Sequence, residues 1–253
     1  MEEKIFMARV AEQAERFDDM VEFLKPILRE KGGDFSVEER NLLSVGFKNL
    51  IGGKRTAIRT ISAIEQNPKY SKFGGALQEY KKKIEEELYK DCQNIINMIK
   101  NDAMKTQNEA EGKAFFLKMV GDYYRYMAES AQGDKLAQAR DGALQHYKEA
   151  ETIAKELPAC NPIKLGLALN YSVFYYEVMQ DNKQACQLAE TALQEAMNKI
   201  DDVDEETFRD AKSIIELLKE NLTLWKEEEG GDQAIEDLWS RLLVLSLIPE
   251  IIN

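Results

Sequence analysis

Helix-breaking residues are scarce in this chain, and they are bunched. Its 253 residues include only 5 Pro and 14 Gly. The long stretches between the bunches repeat apolar residues at three- and four-residue spacing, and none alternates convincingly at two. The chain is therefore read as all-α. Breaks are predicted near 32–33, 67–68 with 74–75, 101–112, 133–134, 158–162, 181–182 and 201–204. Start signals agree with them. Ser36-Val37-Glu38-Glu39 has the form of a capping box. Asn161-Pro162 sets a cap before a proline at the first helical position. Asp202 with Glu205 offers a similar entry to the last long helix. The result is about nine helices on short loops, hence antiparallel neighbours.

Composition narrows the function classes. Acidic residues outnumber basic ones by 46 to 34, for a formal net charge of −12. A general nucleic-acid binder leans the other way, so no nucleic-acid partner is expected. A local basic site in such a chain must hold its cations against the average field. Cys92, Cys160 and Cys186 are few, odd in number and far apart, as expected of reduced thiols. No segment has the roughly 20 apolar residues of a membrane span, and the charged N-terminus lacks a signal-peptide core. His146 is the only histidine. It cannot make a zinc site with three remote cysteines, and it reads as a helix-surface residue. No glycine-rich phosphate loop is present. The chain is read as a binding protein rather than an enzyme, with no metal and no cofactor.

Two helix stripes carry the positive charge. At about 100° per residue, Lys48, Arg55 and Arg59 share one face of one helix. Lys118, Asp122 and Arg125 form a second stripe, with Tyr126 alongside. Taken singly, such a stripe is usually a solvated face. Two of them among aromatic and small residues suit a phosphate dianion, because guanidinium forks and a phenol make charge-assisted hydrogen bonds to it. Asp122 is placed to orient Arg125. Two further helices mix apolar and amide groups: Leu169, Asn170, Val173 and Glu177 on one, and Ile214, Leu217, Asn221, Leu224 and Trp225 on the other. The asparagines suit the main chain of an extended peptide. The bland alternative is a pair of core helices with satisfied amides.

The runs AEQAERFDDM, ERNLLSV, GDYYRYMAE, PIKLGLALNYSVFYYE and KENLTLW resemble the 14-3-3 family of phosphoserine/phosphothreonine-binding adaptors, over roughly residues 2–229. The resemblance implies nine antiparallel helices in a cup-shaped protomer with an amphipathic groove, paired as a dimer. It implies a phosphate pocket of Arg55, Arg125 and Tyr126 with Lys48 at its edge, supported by Arg59 and with Lys118 lining the groove. Asn170 and Asn221 would bond the ligand main chain. Leu169, Val173, Ile214, Leu217 and Leu224 would form the apolar wall, with Glu177 and Trp225 near the ligand. The first helices, within residues 1–30, would meet the fourth helix of the partner: Arg16 with Glu87, Asp19 with Lys83, and Tyr80 packed nearby. Exposed ion pairs contribute only ~0–1 kcal/mol, so apolar contacts including Val10 and Ala14 would hold the dimer. The partners implied are phosphorylated clients and a second 14-3-3 protomer, identical or not. The compartment implied is cytoplasmic, with nuclear access.

Some residues depart from the family pattern. Ser213 stands where a wall leucine is usual, Ile58 where a Trp is usual, and Ala57 where some members carry an interface serine. Gly46 and Gly52-Gly53 are expected to soften the third helix by roughly 1 kcal/mol each relative to Ala. Residues 230–253 form a tail that turns apolar from Leu238 onward. It is read either as a flexible end or as a segment that folds into a groove and competes with ligands. The rival to the whole reading is a tetratricopeptide-like scaffold for unphosphorylated peptides, which accounts for the helices but not for the placement of Lys48, Arg55, Arg125 and Tyr126.

Overall fold

The computed structural model describes residues 1–31, 35–105, 107 and 109–229. The expectations for the tail fall outside these residues. Among the described residues there are nine α-helices and no strand: α1 Glu2–Gln13, α2 Phe17–Lys31, α3 Val37–Glu65, α4 Gly74–Met98, α5 Ala110–Ala128, α6 Gly133–Ala154, α7 Pro162–Glu177, α8 Asn182–Met197 and α9 Glu205–Glu229. Short helical turns at Pro68–Phe73, Ile99–Ala103 and Ile200–Asp202 fill the connections. Helices packed side by side across such short links run antiparallel.

Local chemistry sets the helix starts. Ser36 Oγ accepts from the Glu39 amide at 3.2 Å while the Glu39 carboxylate accepts from the Ser36 amide at 3.0 Å, a complete capping box that opens α3. Asn161 Oδ1 accepts from the Ile163 and Lys164 amides, with Pro162 at the first helical position of α7. The entry to α9 differs from the expectation. The capping carboxylate belongs to Asp204, which accepts from the Glu206 and Thr207 amides at 3.0 Å each. Asp202 lies upstream in the turn, and extended backbone at Val203 puts it out of register with the helix.

The described residues divide into two compact units, one ending at His146 and the other beginning at Tyr147. In the first, Leu24, Ile27 and Leu28 of α2 and Leu43, Phe47 and Ile51 of α3 are fully buried, as are Leu88 and Ile95 of α4 and Phe116 and Val120 of α5. Each side chain of this size contributes about 1.5–3 kcal/mol on burial. Gly46 lies where α2 crosses α3. A Cβ there would sit 3.1 Å from Leu24 Cδ1 and 3.3 Å from Met20 Sδ, so this glycine serves close approach. Ile58 fills a buried site on α3. His146 is not on the surface. It is buried, stacked on Tyr124 at 5.5 Å, with Nδ1 2.7 Å from the Gly142 carbonyl oxygen.

In the second unit the core gathers Leu165 of α7, Ala185, Ala189 and Ala196 of α8, and Ile214, Leu218, Leu222 and Trp225 of α9. The alanines let α8 pack closely against α7 and α9. Among the described residues no helix is long and apolar enough to cross a membrane.

Candidate functional site

The first unit brings the two cationic stripes together. Because α3 runs unbroken for 29 residues, Lys48, Arg55 and Arg59 keep their common face. Arg125 lies in the last turn of α5, and Glu129 caps that helix, its amide bonded to the Arg125 carbonyl at 3.2 Å. The carboxylate of Glu129 is the meeting point. Arg55 donates to it twice, Nη2 to Oε1 at 2.7 Å and Nε to Oε2 at 3.0 Å. Arg59 Nη2 donates to Oε2 at 3.2 Å. Arg125 Nη1 stands 3.6 Å from Oε1. The Tyr126 ring lies against two of the guanidiniums, with the Arg55 carbon 3.9 Å and the Arg125 carbon 4.7 Å from its centroid.

This cluster is largely shielded, with side-chain exposures of 16% for Arg55, 5% for Arg125 and 19% for Glu129. Burial alone would push the Glu129 carboxyl up. The Arg55 guanidinium outweighs that, with help from Arg125 and Arg59, and holds it below the ordinary glutamate range. Burial likewise works against the Arg55 cation, and Glu129 reverses the balance so that its pKa lies above the usual arginine value. Cys92 is buried nearby, and burial pushes its thiol up, which leaves it a poor nucleophile. Three guanidiniums beside a phenol ring can bind an oxyanion.

Other expected residues take varied places. Lys48 is half-buried two turns before Arg55, about 10 Å along the α3 axis. Lys118 Nζ donates to Asp122 at 3.0 Å. The carboxylate that Arg55, Arg59 and Arg125 share is Glu129, which sequence reasoning passed over. Its signal was the spacing: it continues the Lys118, Asp122, Arg125 stripe by a further four residues.

In the second unit, Leu169, Val173 and Glu177 of α7 and Leu217, Asn221 and Leu224 of α9 are half-buried, and Asn170 is 8% exposed. Ile214 and Trp225 occupy inside positions instead, at 0% and 3% exposure. They back the apolar face and do not present surface. Trp225 stacks on Tyr176 at 5.0 Å, and Tyr176 Oη donates to Glu228. Ser213 is half-buried, with its hydroxyl 3.5 Å from the Arg209 carbonyl.

The residues expected at a dimer contact are at the surface. Val10 and Tyr80 are 42% and 56% exposed, Ala14, Arg16, Lys83 and Glu87 are exposed, and Asp19 is half-exposed. Phe6, 63% exposed and one helical turn before Val10, extends the apolar face and was missed. Within the protomer Arg16 pairs with Asp19.

The family model described as "14-3-3 protein" matches residues 7–226. The chain belongs to the 14-3-3 family. It is 44% identical to 14-3-3-like protein A of Hordeum vulgare over 243 residues, covering 93% of each chain. It is 45% identical to 14-3-3 protein beta/alpha-1 of Oncorhynchus mykiss over 228 residues, 89% of this chain and 93% of that one. It is 43% identical to 14-3-3 protein 2 of Entamoeba histolytica over 235 residues, 92% and 98%. As a 14-3-3 protein, the chain is a dimeric adaptor that binds phosphorylated segments of client proteins. The tetratricopeptide-like reading is not favoured. Members of the 14-3-3 family are adaptors rather than enzymes.

Proposed function

We propose that Lys48, Arg55, Arg125 and Tyr126 hold the phosphoryl group of the client, with Arg59 and Lys118 lining the approach. One observation carries this reading: Arg55 and Arg125, from different helices, both reach the Glu129 carboxylate and both lie against the Tyr126 ring. A phosphoserine brings about −1.5 to −2 charges at neutral pH, and a hydrogen bond to a charged group is worth about 1.5–3 kcal/mol. The arginines therefore supply most of the discrimination between a phosphorylated and an unmodified peptide.

Asn170 and Asn221 bond the ligand main chain, and Leu169, Val173, Leu217 and Leu224 contact its apolar side chains, backed by Ile214 and Trp225. Glu177 stands beside them. Residues 1–30 pair with the partner's fourth helix, Arg16 leaving Asp19 for Glu87. The protein acts by binding and catalyses nothing. It works in the cytoplasm with access to the nucleus, in keeping with three cysteines that form no disulfide.

The test is to titrate one peptide, with and without a phosphoserine, into wild type and Arg125→Ala. Wild type should prefer the phosphorylated form, and the variant should lose that preference while keeping its helical circular dichroism. Equal phosphopeptide affinity in both proteins would refute the pocket assignment.

A further inference from the structure

We infer that Glu129 is a positioning residue for phosphate capture: its carboxylate draws the Arg55, Arg59 and Arg125 guanidiniums to one spot before a ligand arrives. The inference rests on the pocket reading above and adds the device that assembles it. Three like charges on α3 and α5 repel one another, and Arg125 opposes the Arg55 charge directly. Glu129 contacts all three, at 2.7 Å, 3.2 Å and 3.6 Å. Its two hydrogen bonds from Arg55 use the Nε and Nη2 edge of that guanidinium. Among the described residues the Nη1 end of Arg55 has no hydrogen-bond partner. One edge is thus fixed by the protein and the other is left for an oxyanion.

The opposing effect is plain. A carboxylate beside the seat of a phosphate repels the ligand. If Glu129 were only a counter-ion, neutralising it would tighten phosphopeptide binding. If it orders the arginines, neutralising it lets them splay, and each charged contact must then be formed at the cost of side-chain freedom. The two roles predict opposite signs.

Glu129→Gln separates them, because it keeps the shape and one acceptor oxygen while removing the charge. The probes are a single peptide carrying one phosphoserine and its unphosphorylated counterpart. Phosphopeptide Kd should rise about tenfold or more, and the weak binding of the unmodified peptide should not change. The Arg55 Nε–H resonance in a nitrogen-15 spectrum should move, reporting a weakened Glu129 contact, and the selective loss of phosphopeptide affinity is the readout that a merely structural role would not give. Glu129→Asp keeps the charge on a shorter stem and should fall between wild type and Gln. Unchanged or tighter phosphopeptide binding by Glu129→Gln overturns the inference. If that variant melts below the assay temperature, Glu129→Asp decides: weaker binding at full helicity supports the inference, and wild-type affinity overturns it. Arg55→Ala run in parallel keeps the two readings apart. Wild-type affinity in Arg55→Ala removes the pocket itself, whereas loss there with none in Glu129→Gln removes only the positioning role.

Discussion

Gly52 and Gly53 stand side by side in the middle of α3, where glycine is expensive. Each costs about 0.8–1.0 kcal/mol relative to alanine in a helix interior, and a Cβ built on either meets nothing within 4 Å. Sterics within the protein do not explain both. Their directions differ. At about 100° per residue, Gly52 lies some 40° from Lys48 and 60° from Arg55, within the cationic stripe. Gly53 points about 140° from Lys48, away from that stripe. We therefore predict that the same substitution has one shared effect and one divergent effect. Gly52→Ala and Gly53→Ala should each stabilise the fold by about 0.8–1.0 kcal/mol, raising Tm by roughly 2–4 °C for a chain of this size. Only Gly52→Ala sets a methyl group on the face between Lys48 and Arg55, where a phosphate would approach α3. It should weaken phosphopeptide binding about tenfold, the equivalent of one charged hydrogen bond held off its best distance. The assay pairs thermal melts at fixed protein concentration with phosphopeptide titrations of wild type and both variants. Wild-type affinity in Gly52→Ala would refute the claim that the ligand closes on this face, and an unchanged Tm in Gly53→Ala would refute the helix-propensity reasoning.

Other outcomes follow from single residues. Gln180 holds φ +53° in the turn after α7, a left-handed conformation that costs roughly 1–2 kcal/mol in a residue bearing a Cβ, so Gln180→Gly should raise Tm by a few degrees in the same melts. Gly142→Ala would place a Cβ 2.8 Å from the Tyr124 ring. With that ring stacked on His146, overpacking should cost about 1–3 kcal/mol, visible as a lower Tm. Arginine contacts depress the Glu129 carboxyl, so its contribution to stability is present above its unfolded value near 4.5 and fades as pH falls through the lower folded value. Tm measured from neutral pH into the acid range should therefore fall less steeply in Glu129→Gln than in wild type.

What could be read from the sequence divides by the range of the interaction. Ser36 and Asn161 were legible because a cap is settled within three residues. The entry to α9 was harder, since 201–206 offers five carboxylates in six positions. Only Asp204 has amides within reach, and that depends on the extended backbone at Val203. His146 was misplaced because the buried stripe of α6 is built from Ala139, Ala143, Ala150 and Ala154 with Tyr147, and a row of alanines scarcely registers as apolar periodicity. The cationic stripes were legible as helix faces. That they meet was legible only through the family resemblance and not from the helix faces themselves, because the meeting depends on how α3 packs against its neighbours and on a glutamate 74 residues away from Arg55.

The same packing explains how a chain of net charge −12 keeps a cluster of arginines in place. Long-range repulsion is screened within about 8–10 Å at ordinary salt, so the acidic surface does little to organise the site. Order must come from a short-range, shielded contact. Glu129 shares its one negative charge among three guanidiniums and brings all of them to a single carboxylate. A second carboxylate at the Arg55 Nη1 end would compete there with a ligand's oxyanion. No carboxylate at all would leave like charges pressed together with nothing to gather them. Between those limits the Glu129 carboxylate, at the C-cap of α5, does both jobs, and on the pocket reading proposed above the cluster it gathers makes two cationic helix edges into one receptor for a dianion.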